Sequence, residues 1–408
     1  MGKKIIDYYF LILLSLIPIT ILIGSSISLI NIILIDISFI ILIIFKKEFS
    51  FIKDNSIKYF LLLYSYLIFN SLISIDFHIG LARNLGFIHM IVLFVAINYF
   101  LNKEFFKSKI LSIWLFTLIV VSIDVIFEFY YGKNTLGFSS LHNRIVSFFG
   151  DEAIVGGYLA GFFLIVIGFL HEILNDKYKS RILLLSIFFI TVILLTGERS
   201  NSIKALSGII IFYFFFKEYN LKTKFIITVL CLTSFLLILF NVQYLNTRYI
   251  KQIEHIFLGE QKTYSSNQVY FSLYKSGLNV FKDNIFFGVG NKNYRVAACS
   301  QDKENLNKKS EYVCNTHPHQ IYFEFLSEHG ILGTIFILFI FYKLILSKAK
   351  NRIANLNYMQ LGSFIFLILT FLPLLPSGAF FSSYSLTIFM INISIFYASD
   401  PKSNIFSN

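Results

Sequence analysis

The sequence predicts an all-α, polytopic membrane protein, and three observations carry that prediction. Hydrophobic residues make up 56% of the chain and charged residues only 14%, where a soluble domain carries about 25% charged residues. Apolar runs recur from end to end, each near the roughly 20 residues that a bilayer-spanning helix needs. Basic residues crowd into every second connection between those runs, which is the signature of cytoplasmic loops.

About twelve spans are expected, near residues 5–24, 27–45, 57–75, 84–101, 110–130, 153–174, 181–196, 201–216, 224–241, 320–346, 357–375 and 378–397. They divide the chain into a first transmembrane bundle (1–241, nine spans), a large loop expected on the periplasmic side (242–319, with interfacial helices), and a closing part (320–408, three spans and a tail). The first span follows Met1-Gly-Lys-Lys and runs to about Ile23, long for a signal h-region and without a small-residue cleavage site after it. Gly2 does not open a myristoylation motif, because Ile6 stands where Ser or Thr is required.

Orientation follows from lysine. Lys3 and Lys4 precede the first span. The same-side connections then carry Lys46, Lys47, Lys53 and Lys58; Lys103, Lys107 and Lys109; Lys177, Lys179 and Arg181; Lys217, Lys222 and Lys224; and Lys343, Lys348, Lys350 and Arg352, with Lys402 in the tail. Both termini are therefore expected in the cytoplasm. The net charge of +12 is topological in origin, so membrane lipids are expected as surroundings and nucleic acid is not expected as a partner.

The chain has seven arginines, and five of them, Arg83, Arg144, Arg199, Arg248 and Arg295, fall in the opposite connections. Topology does not require this, since lysine serves the positive-inside rule equally well. A guanidinium binds phosphate bidentately and stays charged in a partly dry site, so an outer face enriched in arginine suits a phosphorylated ligand. The bland alternative is ion pairing to Asp76, Asp151, Glu152 or Glu198. Arg83 closes Asp76-Phe-His-Ile-Gly-Leu-Ala-Arg83, His142-Asn-Arg144 precedes Phe148-Phe-Gly-Asp151-Glu152, and Thr196-Gly-Glu198-Arg199-Ser-Asn-Ser202 joins the seventh and eighth spans. Ser200 or Asn201 is expected to cap the eighth helix, placing Arg199 beside a helix start.

In the long loop, Val269, Tyr270, Leu273, Tyr274, Leu278 and Phe281 recur at helical spacing, which predicts an amphipathic helix at the membrane surface. Gly288-Val-Gly290 marks a tight turn. The loop ends in Cys314-Asn-Thr316-His317-Pro318-His319-Gln320. Pro318 suits the first position of a helix, with Thr316 or His317 at the cap, and a helix start attracts phosphate-like groups. His319 in that first turn would be neutral and able to accept a proton. A Cys299–Cys314 disulfide is expected in an oxidising periplasm, worth about 3 kcal/mol for a loop of that size; Cys231 reads as packing. Asp36, mid-span, and Asp124 and Glu128, near the end of the fifth span, are either functional intramembrane acids or helix-to-helix anchors.

These residues resemble the O-antigen ligase and O-antigen polymerase superfamily of bacterial membrane glycosyltransferases. The resemblance rests, in order, on Thr196-Gly-Glu-Arg199-Ser, on the large loop between the ninth and tenth spans, on Phe281-Lys-Asp-Asn-Ile-Phe-Phe-Gly-Val-Gly290, and on His317-Pro-His319-Gln-Ile-Tyr-Phe-Glu324-Phe-Leu-Ser-Glu328-His-Gly330-Ile-Leu-Gly333. It implies a GT-C-type, metal-independent fold without cofactor, working in lipopolysaccharide biosynthesis. The implied donor is an undecaprenyl pyrophosphate-linked glycan, and the implied acceptor is lipid A–core in a ligase or a second lipid-linked repeat in a polymerase. Ligase is the favoured reading, because there is one long loop. Carried over, Arg199 holds the donor pyrophosphate and His319 is the base on the acceptor hydroxyl. Arg144, Arg83, Arg295, Arg248 and His317 are the expected substrate contacts. Gln320 stands where relatives have Asn, Glu198 where many have a small residue, and Ser265-Ser-Asn-Gln268 where many have an arginine, leaving Arg295 or Arg248 to supply that second loop arginine. Two other readings are a transporter of a lipid-linked glycan or small anion, with Asp36 as its test position, and a protein glycosyltransferase using the same donor.

Overall fold

The structure, a computed structural model, describes residues 2–141, 143–251, 266–299, 312–350 and 353–407. His142, Ser265 and Arg352, named above, lie outside them. The helices used below are α1 (Gly2–Ser15), α2 (Ile17–Ile23), α3 (Ser25–Lys46), α4 (Asn55–Leu72), α5 (Phe77–Leu85), α6 (Phe87–Leu101), α7 (Glu104–Tyr131), α8 (Val155–Ile173), α9 (Lys179–Leu195), α10 (Arg199–Phe215), α11 (Leu221–Asn241), α12 (Ser266–Asp283), α13 (Tyr294–Cys299), α14 (Ile321–Phe341), α15 (Tyr358–Thr370) and α16 (Ser383–Ala398). Among the described residues there is no strand, only the isolated bridges Lys133–Ser139 and Leu141–Arg144.

Every expected span falls on helical residues, the first of them on the two helices α1 and α2. Among the described residues, seven stretches are long and apolar enough to cross a membrane: α3, α5 with α6, α7, α8, residues 176–195, α11, and residues 321–349. An eighth is the pair α1 and α2, bent by 44°, with Pro18 in the first turn of α2. Helices α15 and α16 are apolar but shorter. Helix α10 opens on Arg199-Ser-Asn-Ser202 and carries Lys204, and α4 carries Asn55, Lys58 and Asn70; polar residues set both apart. The periodicity predicted in the long loop forms α12, which packs along α14.

Helix α8 is the hub, packed against α7, α9, α10, α15 and α16. Close approach between helices in an apolar medium needs small residues at the contact. A Cβ on Gly168 would overlap the Tyr358 carbonyl, one on Gly161 would strike Ile388, and one on Gly362 would strike the Leu164 carbonyl. Two further glycines fix the loop–helix junction. Gly288 (φ +68°) lies with its Cα against the backbone of Glu328–Gly330, and Gly330 (φ +64°) breaks α14 against Phe286. Val289 and Gly290 donate to the carbonyls of Ser327 and Glu328 (both 2.9 Å), and Ile331 donates back to Ile285 (2.8 Å). The loop is thus bonded directly into the break in the helix.

The lysine-rich connections touch one another. Lys107 pairs with Glu172 at 2.9 Å and Lys103 with Asp7 at 3.8 Å. Lys179 pairs with Glu218, which also accepts from the Tyr358 hydroxyl at 3.1 Å.

Candidate functional site

The connections that carry arginine converge on a single cavity of about 830 Å³. Arg83, Arg144, Arg199, Arg248, His317 and His319 all line it, although they come from five separate segments of the chain. Arg295 does not. It lines an adjoining cavity that shares Arg83 and Lys292 with the first.

Arg144 is presented by a loop tied down from α7. Asp124 accepts from the Thr135 N–H (2.9 Å) and hydroxyl (2.6 Å) and from the Ser147 hydroxyl (2.6 Å). Glu128 accepts from the Ser140 hydroxyl (2.8 Å) and from the N–H groups of Val146 (3.1 Å) and Ser147 (2.6 Å). The question left open by these two acids is answered: they anchor the loop. Ile145 N–H then donates to the Thr196 carbonyl at 3.1 Å, joining this loop to the turn that carries Arg199.

In that turn the expected caps are corrected. The N-cap of α10 is Glu198, and Ser200 and Asn201 lie inside the first turn. Glu198 serves a different helix. Its carboxylate accepts from the N–H groups of Gly156 (2.5 Å) and Gly157 (3.2 Å), the first turn of α8, and from the Asn201 amide (2.6 Å). An acid at a helix N-terminus satisfies donors that have no partner within the helix. Burial pushes its pKa up to about 7, against the opposing pull of those bonds and of Arg144.

The guanidinium groups crowd together. Arg248 Nε donates to the Gly197 carbonyl at 3.2 Å, and Arg199 Nη1 to the Arg248 carbonyl at 3.4 Å. Burial, then the charges of Arg199 and Arg144, lower the pKa of Arg248. Like charges assembled in a half-buried wall repel, and an anion between them relieves the repulsion. Arg83 donates to the Ser383 hydroxyl. Two of the four acids that could have paired with the arginines are engaged elsewhere: Asp76 caps α5 through His78 and Ile79 N–H, and Glu198 caps α8; Asp151 and Glu152 line the cavity with the arginines.

The histidines reach the cavity by a route other than the one expected. The cap of α14 is Gln320, whose side-chain oxygen accepts from Tyr322 N–H (2.8 Å) and Phe323 N–H (3.0 Å). Pro318 is not in the helix, Thr316 and His317 do not cap it, and His319 precedes it with φ +57°. The departure at Gln320 is thereby absorbed, since an amide oxygen at this position caps whether Asn or Gln carries it. Upstream, the Cys299–Cys314 disulfide is formed, and Val313 N–H donates to Ser276 of α12 at 2.9 Å. His317 is fully engaged: its Nδ1 lies 2.9 Å from the Thr316 hydroxyl and its Nε2 3.3 Å from the Ser377 carbonyl. Burial foremost, with the neighbouring His319, takes its pKa down to about 3. His319 lies beside it, ring centroids 4.0 Å apart and the ring planes tilted by 43°. Burial first and Arg144 second lower the pKa of His319, so it is a neutral base at neutral pH.

The structure adds residues to the site that the sequence had not placed there. Tyr270 lies edge-on to His319, centroids 5.7 Å apart, and Lys204 and Lys292 line the cavity. Lys204 could have been found, being a lysine inside a span one helical turn beyond Ser200. Lys292 could not, because its position depends on the Gly288–Gly290 turn meeting the break in α14. Asp36 lies apart from this site, paired with His89 at 2.9 Å.

Residues 184–338 match the family model described as O-antigen ligase. The match places this domain in the O-antigen ligase and polymerase superfamily. It spans less than half of the chain and includes Arg199, Arg248, Lys292, His317 and His319, while Arg83 and Arg144 come from outside it. A glycosyltransferase-like enzyme of O-antigen ligase or polymerase type, built on a multi-pass membrane bundle, follows from the match and the apolar helices together. No curated protein matches the chain.

Proposed function

We propose that this protein transfers a glycan from undecaprenyl pyrophosphate to a hydroxyl of lipid A–core, at the periplasmic face of the bacterial inner membrane. The observation that carries this reading is the convergence of Arg83, Arg144, Arg199, Arg248 and the two histidines on one cavity. Arg199, Arg248 and Arg144 hold the pyrophosphate and stabilise the charge it gains as it leaves. The acceptor oxygen bonds to the anomeric carbon, the bond from that carbon to the phosphate oxygen breaks with its electron pair, and His319 takes the hydroxyl proton. His317, with both ring nitrogens engaged, positions His319. The guanidinium groups supply the positive charge that a divalent metal supplies in other glycosyltransferases. The topology that serves this chemistry has twelve spans, both termini cytoplasmic, and the connection between the ninth and tenth spans on the periplasmic side.

The test is a lipopolysaccharide gel of cells carrying Arg199→Ala or His319→Ala at matched protein levels. Loss of polymer on lipid A–core in both, with about a 10³-fold drop in transfer, is expected. Normal lipopolysaccharide in both variants removes the reading. Accumulated lipid-linked polymer marks a ligase block, and single repeat units on core mark a polymerase block.

A further inference from the structure

Two acids of α14 lie outside both cavities. Glu324 and Glu328 stand one helical turn apart, each only 1% exposed, and neither lines either cavity. A buried carboxylate needs donors to replace the water it has lost. Each of these finds them on backbone N–H groups, in a different connection. Glu324 accepts from Phe380 N–H with both oxygens (3.0 Å each) and from Phe381 N–H, in the connection between α15 and α16. Glu328 accepts from Tyr294 N–H at 3.4 Å and from Lys292 N–H, in the turn after Gly290.

The connection gripped by Glu324 is also the one that grips the histidines. Ser377 N–H donates to the His319 carbonyl at 2.9 Å, and the Ser377 carbonyl lies 3.3 Å from His317 Nε2. The ring of His319 faces that carbonyl too: burial first and Arg144 second lower its pKa, and the Ser377 carbonyl opposes them. A carbonyl beside an imidazole keeps the hydrogen on the facing nitrogen and leaves the other free to accept a proton. His319 has φ +57°, a strained backbone for a residue with a side chain, which persists only where its surroundings hold it. The same helix holds the rest of the connection. Tyr322 hydroxyl donates to the Phe371 carbonyl at 2.7 Å, and the rings of Phe380 and Phe381 pack on Phe325.

We propose that Glu324 is a positioning residue for His319: through the N–H groups of Phe380 and Phe381 it fixes Ser377, and the Ser377 carbonyl holds the His319 ring in one tautomer, its other nitrogen free for the acceptor proton. The proposal rests on reading His319 as the base of transfer. Glu328 supplies a matched control, being on the same helix and equally buried but bonded to a different connection. The groups facing His319 are His317 beside it, Arg144 from the loop before α8 and Tyr270 of α12. Arg83, Arg199, Arg248, Lys204, Lys292, Asp151, Glu152 and Glu198 line the same cavity. Substitutions at Glu324 and Glu328 alter none of these, so a moved titration of His319 reports its contact with Ser377.

The test uses the purified full chain in lipid nanodiscs and two readouts. One is the pH profile of kcat for transfer from an undecaprenyl pyrophosphate-linked polymer to lipid A–core. The other is solid-state NMR of the histidine ring nitrogens, the His319 signals being those lost in His319→Ala. Glu324→Asp keeps the charge and withdraws it by one methylene; Glu324→Gln loses the charge and keeps an oxygen within reach of Phe380 N–H. Glu324→Asp is expected to lower kcat about 100-fold with KM for the donor unchanged. It is also expected to move the acid limb to lower pH, because the upward pull of Ser377 on His319 is lost, and to replace one neutral tautomer by a mixture. Glu324→Gln is expected to stay close to the wild type in all three, and Glu328→Gln to leave the limb and the His319 signals in place. The opposite order, Gln moving the limb further than Asp, would show a charge acting through space and overturns the proposal. So does a Glu324→Asp variant with an unmoved limb and a single tautomer, or a Glu328→Gln variant that disturbs His319 as much. If His319→Ala transfers as the wild type does while Glu324→Asp still mixes the tautomers, the base reading fails and the positioning of His319 stands.

Discussion

The two sets of connections in this bundle are both basic, and they use their charge in opposite ways. Where lysine dominates, the cations meet carboxylates of the same chain: Lys107 with Glu172, Lys103 with Asp7, Lys179 with Asp176 and Glu218. Where arginine dominates, four of the acids are occupied with backbone N–H groups, Asp76 on α5, Glu198 on α8, Asp124 and Glu128 on the Arg144 loop, and Asp151 and Glu152 line the cavity. The cations there face cavities. The difference teaches that net charge and even charge density say little about function in a membrane protein. Among the described residues, what distinguishes the arginine face is that four arginines from separate segments line one cavity, together with Asp151 and Glu152.

The comparison is tested most severely by exchanging the two cations. Arg199→Lys and Arg248→Lys keep the charge and lose the planar fork that grips phosphate at two points. Transfer is expected to fall about 10- to 100-fold in either, as for the loss of one charge-assisted bond. Lys177→Arg and Lys402→Arg, at the other set of connections, are expected to leave transfer unchanged. Equal tolerance at both sets would mean that the arginines serve only as charge, and the phosphate reading would lose its basis.

How much of this could be read beforehand follows from the range of each signal. The alternation of lysine needs only local hydropathy and counting, so it was visible, and the expected spans fall on helical residues, although the first is the bent pair α1 and α2. The side on which Arg83, Arg144, Arg199, Arg248 and Arg295 fall was visible for the same reason. That four of them share one cavity while Arg295 stands in the next was not, because this depends on where α13 leaves the Gly288–Gly290 turn. The caps failed instructively. Pro318 suits a helix start by its own chemistry, yet the left-handed backbone at His319 turns the chain before the helix begins, and Gln320 takes over. Glu198 looked like a residue of its own turn, but its partners Gly156 and Gly157 lie some forty positions earlier, beyond the reach of any local pattern.

Glu198 also sharpens the comparison, because its acid is buried where those at the lysine connections are more open. Its folded pKa of about 7 lies above the ordinary carboxylate value of 4.5. The folded state therefore binds the proton more tightly than the unfolded chain does. The stability this contributes is complete below the unfolded pKa and is lost as pH rises through about 7. The wild type is expected to melt at lower temperature at pH 8 than at pH 5, by up to about 3 kcal/mol in stability. Glu198→Gln, which keeps an oxygen for Gly156 N–H and cannot ionise, is expected to flatten that dependence. An unchanged pH profile would show that the bonds from Gly156, Gly157 and Asn201, with Arg144 nearby, already hold the carboxylate ionised.

The smallest effect is expected where charge is paired in the open. Lys103 and Asp7 lie 3.8 Å apart with side chains 41% and 31% exposed, so both groups keep contact with water. Lys103 also lies over the rings of Tyr99 and Phe106, so its methylenes and cation contribute some packing. Removing the pair by Asp7→Asn is expected to cost about 0.5 kcal/mol or less, and removing the side chain by Lys103→Ala somewhat more, because the ring contacts go with it. Glycan transfer is expected to be unaffected in both, since neither residue lines a cavity of the arginine set. Thermal melting of the purified variants measures the first expectation and the lipopolysaccharide gel the second. A variant at Asp7 that folds normally but stops transfer would mean that the two sets of connections are coupled through α1 and α7, and the separation drawn between them would have to be abandoned.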